Sequence, residues 1–243
     1  MKNTIGQERV RNALLRNLAA EDFMSLARRA ELVDLPRMLQ LAEAGKPAQY
    51  AYFPETGIGS IVMRSPEGQS VEVGMFGHDG MSPPVLAAGC TESPMDIFMQ
   101  VGGRGYRIAA EELGSAMTES LSLRLLLSRY AHVIAVQSAS TALSNAVHPV
   151  DIRLARWLLM CHDRSEGDEL PLTHDFISLM LAVRRPSVTN ALHVLEGERL
   201  IQSERGFVTV RNREALEIFA ADAYGRAEEE YRRLIGNVNQ AGA

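Results

Sequence analysis

Only two cysteines, Cys90 and Cys161, occur in 243 residues. They stand in unrelated contexts, which excludes a disulfide framework or a four-cysteine cluster and leaves two thiols expected to be buried. No stretch is apolar for the length a bilayer crossing needs, and no basic segment followed by an apolar run opens the chain. These absences predict a soluble cytoplasmic protein with no membrane partner. An excess of positive charge is also missing: the net charge is −5 and the isoelectric point about 5.7. Nucleic acid could therefore be held only by a local patch. There is no Gly-x-Ser-x-Gly elbow, no Walker-type phosphate loop and no Cys/His cluster with zinc spacing, so neither catalytic residues nor a metal set stand out. Internal repeats and low-complexity runs are absent.

What is present is most legible between Thr173 and Val210. Phe176, Ile177, Leu179, Met180 and Leu181 crowd one short helix, and Val188, Ala191, Leu192 and Leu195 recur at helical steps along a second. The two are joined tightly at Ala182 to Arg184. Thr173 can cap the first, and Pro186 fits the first turn of the second, where its missing N–H costs nothing. Gly197 closes that helix. Leu200 and Ile201, then Phe207, Val208 and Val210, read as two strands around Glu204, Arg205 and Gly206. This is the pattern of a winged helix-turn-helix. With its apolar residues turned inward, the second helix offers Arg185, Ser187, Thr189, Asn190 and His193 on its opposite side. Such groups suit phosphates and base edges of double-stranded DNA. Thr173 and Arg184 are placed for phosphates.

The rest of the chain divides into three parts. Residues 1–118 begin with helical spacing from Asn12 to Leu41, then change at Pro36 and Gly45 to a period near two. Tyr50 and Tyr52, Ile61 and Met63, Val71 and Val73, Ile97 and Met99, and Tyr106 and Ile108 mark short strands of an antiparallel sandwich or roll. Residues 119–147 form one long helix that is apolar on two stripes. Leu123, Leu127, Tyr130, Ile134 and Thr141 make one, and Leu125, His132, Val136, Ala139 and Leu143 the other, which suits packing on its own sheet and on a second copy. The first stripe is the expected dimer contact. Residues 148–243 start at a His148-Pro149-Val150 hinge and hold the winged helix-turn-helix, with Ser165 to Glu169 as a loop and one last helix near Arg213 to Ile235. Each domain is expected to have its own core. The fold class is α+β.

The order of these parts, with AVRRPSVTNALHVLEGERLI, YAYFPETGIGSIV, SVEVGMFGHDGM and VDIRLARWLLMCHDR, resembles the Crp/Fnr superfamily of bacterial transcription regulators across nearly the whole chain. The resemblance implies a cyclic-nucleotide-binding-like β-roll (jelly roll), a dimerisation helix and a homodimer reading a palindromic operator. RNA polymerase and a small-molecule effector of unknown identity are further implied partners. An effector would meet His78, Asp79, Gly80, Met81, Ser82 and Tyr130. Family members that bind cyclic nucleotides carry Gly-Glu at the start of a short pocket helix and an arginine for the phosphate. Here Gly80-Met81-Ser82 and Pro94-Met95 stand there, so the phosphate would lack its charge-assisted partner and cyclic AMP is not expected. An iron–sulfur cluster is not expected either, because Cys90 is the first cysteine. His78 lies where haem-sensing relatives place a ligand, yet a lone histidine in a glycine-rich turn does not predict haem.

Two other classes compete. His78-Asp79, His162-Asp163 and His174-Asp175 are dyads of the kind found in metal-dependent phosphohydrolases. Their positions in a β-rich turn, a helix end and a helix start argue against shared metal ligation, and structural roles account for each. An effector-sensing scaffold that does not bind DNA would leave the polar face of the second helix unexplained.

Overall fold

The computed structural model describes residues 6–236. After a 3-10 turn come two helices, α1 (Ala13–Arg16) and α2 (Ala20–Ala27), then strands β1 (Glu31–Leu35), β2 (Gln40–Ala42), β3 (Tyr50–Pro54), β4 (Ile58–Arg64) and β5 (Ser70–Phe76). A short helix α3 (Pro84–Ala87) precedes β6 (Met95–Val101) and β7 (Gly103–Ala109). The strands form two antiparallel sheets, ordered β1-β7-β3 and β2-β6-β4-β5. Leu35, Phe53 and Ile108 from the first and Ile61, Ile97 and Met99 from the second share one core, as alternation of inward residues requires. This is the expected roll.

The helical spacing read up to Leu41 is overturned at its end. Glu31–Leu35 is a strand paired with β7, Leu32 opposite Tyr106. Leu35 is fully buried while Leu32 is 53% exposed, an alternation that three-residue spacing imitates over so short a run.

Helix α4 (Ala110–Glu119) leads into α5 (Leu121–Val147), whose first turn is capped by the Ser120 hydroxyl accepting from the Leu123 amide. One stripe of α5, made of Leu123, Leu127, Tyr130, Val133 and Ile134, is buried in the core of its own roll. Thr141 spends its hydroxyl on the Gln137 carbonyl. The expected dimer contact through Leu123, Leu127, Tyr130, Ile134 and Thr141 is therefore corrected: the first four hold the helix to its own roll, and Thr141 bonds within the helix. The stripe left outside includes Leu121, Leu125, Leu143 and Val147, each about half exposed.

After Pro149, α6 (Val150–His162) enters the second unit, followed by β8 (Glu169–Leu170), α7 (His174–Leu181), α8 (Arg185–Gly197), β9 (Ile201–Glu204) and β10 (Phe207–Val210). The segment expected to be only a loop ends in β8, the third strand of a wing ordered β8-β10-β9. The last helix is not continuous. It is α9 (Arg213–Ala220), a 3-10 turn at Ala221–Ala223, and α10 (Arg226–Leu234), which folds back on α5. Tyr231 donates to the Asp79 carbonyl at 2.7 Å and the Asn17 amide donates to the Ile235 carbonyl at 3.1 Å. The second core is not independent of the first unit, because Ile58 and Met75 of the roll pack within it. Cys161 is buried, but Cys90 is exposed after α3, contrary to expectation.

Candidate nucleic-acid interface and sensor pocket

The helix-turn-helix is built as its residues dictate. Thr173 accepts from the Phe176 amide at 3.2 Å and caps α7, and Ala182 adopts left-handed φ of 50° to make the tight turn. Arg184 stands at the N-cap of α8 without capping it, and Pro186 lies in the first turn. Val188, Ala191, Leu192 and Leu195 are buried, so the helix can present only its other side. Arg184, Arg185, Asn190 and His193 are exposed there, with Ser187 and Thr189 half-buried. The Thr189 hydroxyl donates back to the Arg185 carbonyl at 3.3 Å, which turns it partly away from solvent. Arg185 meets Asp175 at 3.3 Å, both side chains well exposed, so the pair is weak and its guanidinium remains available.

The sequence shows an arginine excess here, Arg184, Arg185, Arg199, Arg205, Arg211 and Arg213 against Glu196, Glu198 and Glu204. Arg199 and Arg211 are exposed on either side of the wing, and Arg205 is exposed at its tip, where Gly206 turns the chain at φ 91°. With Arg184 and Arg185 they give this unit the local positive excess that a net charge of −5 over the chain requires for nucleic acid.

The proposed sensor pocket is largely filled. Met81 and Ser82 are fully buried, the Tyr130 hydroxyl donates to the Met81 carbonyl at 2.8 Å, and a Cβ at Gly80 would overlap the Tyr130 ring. His78 is buried with Nδ1 unpartnered, and burial lowers its pKa, so it stands neutral. Of the six residues named for an effector, Asp79 and Tyr130 line a cavity that lies on the outer side of the turn. His78, Gly80, Met81 and Ser82 are thus corrected from pocket lining to packing.

The three His-Asp dyads are not brought together. Each aspartate meets a different arginine: Asp79 with Arg164 at 2.6 Å, Asp163 with Arg213 at 2.6 Å, and Asp175 with Arg185. Among the described residues no group of three acidic, histidine or cysteine side chains is arranged to hold a metal.

Residues 152–219 match the family of Crp-like helix-turn-helix domains. That match covers α6 through most of α9, the elements that position the exposed face just described. The chain carries a Crp-like helix-turn-helix domain, a DNA-binding unit. Its fold is similar to that of FixK2 from Bradyrhizobium japonicum, at 16% identity over 80% of this chain and 99% of that one with a TM-score of 0.67. It is likewise similar to the c-di-GMP-responsive global regulator CLP of Xanthomonas campestris, at 16% identity over 79% and 99% of the two chains with a TM-score of 0.62. A Crp/Fnr-family regulator of Thermus thermophilus shares 16% identity over 80% of this chain and the whole of that one, with a TM-score of 0.61. No curated protein matches the sequence. No described helix is long and apolar enough to cross a membrane.

Proposed function

We propose that the chain is a DNA-binding transcription regulator of the Crp/Fnr type, acting in the cytoplasm as a homodimer about α5, with two copies of α8 reading the half-sites of a palindromic operator. The observation that carries the proposal is the pairing of two unpartnered surfaces on one chain. The α8 face with Arg184, Arg185, Asn190 and His193 meets DNA, and the exposed α5 stripe of Leu121, Leu125, Leu143 and Val147 meets a second copy. Two-fold symmetry then sets the recognition helices roughly 34 Å apart, one turn of duplex. Cyclic AMP is not the effector, since the turn at Gly80 is closed by Tyr130 and offers no arginine. Neither haem nor an iron–sulfur cluster enters the proposal. The role is regulatory and not catalytic.

Selection of binding sites from a random duplex library tests this reading. Recovery of a palindrome with half-site centres one helical turn apart, by protein sedimenting as a dimer, is the expected result. Recovery of unrelated sequences, or of single half-sites by a monomer, would overturn it.

A further inference from the structure

A cavity of about 230 Å³ lies between α5, the end of α6 and α10, on the outer side of the Asp79 turn. It is distinct from the roll interior, which Met81 and Tyr130 fill. Val133, Ile134 and Ala227 give it an apolar wall, flanked by the Tyr231 ring. Its charged groups largely cancel. Asp79 pairs with Arg164 and Asp163 with Arg213, both at 2.6 Å, and the Asp163 carboxylate also accepts from the Tyr224 hydroxyl at 2.7 Å. Glu228 accepts from the Gly225 amide at 3.0 Å, and burial raises its pKa.

Two donors are left over. The Gln137 side chain is 97% buried, and its oxygen accepts from the Met75 amide at 2.7 Å, which leaves its NH₂ group without a partner on the cavity wall. Arg232 stands exposed at the rim with no ion-pair partner among the described residues. A guanidinium and an unfilled amide donor lining one cavity with an apolar wall match an oxyanion carried on an apolar body.

We infer that this cavity is a binding site for a small organic oxyanion, a carboxylate or phosphate monoester on an aromatic or aliphatic body, gripped by Arg232 and the Gln137 amide. The site is roofed by α10, which lies beyond the matched domain of residues 152–219 and ties that domain to α5. A ligand here therefore touches the roll turn, the long helix and the DNA-binding unit at once. Its regulatory meaning rests on the proposed DNA-binding function, but the binding chemistry does not.

Salicylate, phenyl phosphate and neutral benzamide serve as probes with full-length protein, read by isothermal titration and thermal melting. Saturable binding of salicylate or phenyl phosphate with a raised melting temperature, and none of benzamide, is expected. The stronger of the two anions identifies the headgroup. Arg232→Gln should weaken the anions by about tenfold or more, while Arg226→Gln, on the same helix but outside the cavity, should not. Failure of both anions to bind at millimolar concentration, equal binding of benzamide, or wild-type affinity in Arg232→Gln overturns the inference. Duplex titration in parallel separates the readings. Protein that binds probe but no duplex loses the regulator proposal and keeps the site, and protein that binds duplex but no probe does the reverse.

Discussion

Glu72 shows how one side chain records the joining of two units. It sits on β5, wholly buried, with Oε1 accepting from the Trp157 indole of α6 at 2.7 Å and Oε2 unpartnered. Burial raises its pKa from 4.5 to about 7, against the lowering pull of Ser60, Trp157, Arg164 and Arg156. A folded-state pKa above the unfolded one means that the native state holds the extra proton. Stability is then full below about pH 4.5 as far as this group is concerned, and falls as pH rises towards 7. Glu72→Gln should remove that slope and stabilise the protein at pH 8 by roughly 1–3 kcal/mol. Denaturant titrations of both proteins from pH 5 to 8 decide it, and parallel pH profiles would sink the assignment. At the DNA face, Arg185→Ala should cost about 1–3 kcal/mol and relax preference at one base pair per half-site, since a bidentate guanine contact is lost. Arg184→Ala should weaken all duplexes alike and reduce the salt slope by about one unit. If site selection with Arg185→Ala returned the wild-type base preference, readout would lie elsewhere, with Asn190 the next exposed residue on that side.

Among the elements, α5 shows both the reach and the limit of periodicity. Spacing of 3.6 residues disclosed its two apolar stripes, but nothing in the spacing says which one meets the roll. That depends on the register of β5 and the turn at Gly80, contacts far away in sequence. The consequence reverses the expected mutational pattern. Leu125→Asp and Leu143→Asp, on the exposed stripe, should dissociate the proposed dimer while leaving the melting temperature of the monomer nearly unchanged. Leu127→Asp, at 1% exposure in the core, should instead unfold the roll, because a charge is buried without a partner. Sedimentation and circular dichroism on the three variants check this, and a folded monomeric Leu127→Asp would restore the original assignment. The helix-turn-helix was legible because its signals are local: a capping threonine, a proline in the first turn, a glycine in the wing. Strand β1 and the break before α10 were not, since five residues of β1 fit either period and α10 is placed by Tyr231 and Ile235 against residues over 150 positions away.

For the whole molecule, the decisive feature is that the boundary between roll and DNA-binding unit runs through packed interior. Ile58 and Met75 lie in the second core, and the Asp79–Arg164 pair is buried between the turn and the end of α6. Asp79 and Asp163 keep the Arg164 guanidinium charged, although burial opposes it. A fourth contact places the Arg37 guanidinium 5.5 Å from the Phe176 ring centre on α7. Two units so joined should unfold together. Trp157, the single tryptophan, reports on that boundary directly, because it is 3% exposed and bonded to Glu72. In wild type, its emission shift and the loss of far-ultraviolet ellipticity should coincide along a denaturant titration, as a cooperative transition requires. Asp79→Ala leaves Arg164 buried without its partner, at a cost of about 3–5 kcal/mol. The strain falls on the boundary alone, so Trp157 should now redden at lower denaturant than the ellipticity is lost. Met75→Ala opens a hole in the second core from the roll side and should lower both transitions together, by about 2–5 kcal/mol. Non-coincident curves in wild type would mean that roll and DNA-binding unit are held by the linker at Pro149 and not by this interior, and the coupling drawn from it would fail; coincident curves in Asp79→Ala would mean that the Asp79–Arg164 pair is not what holds the boundary.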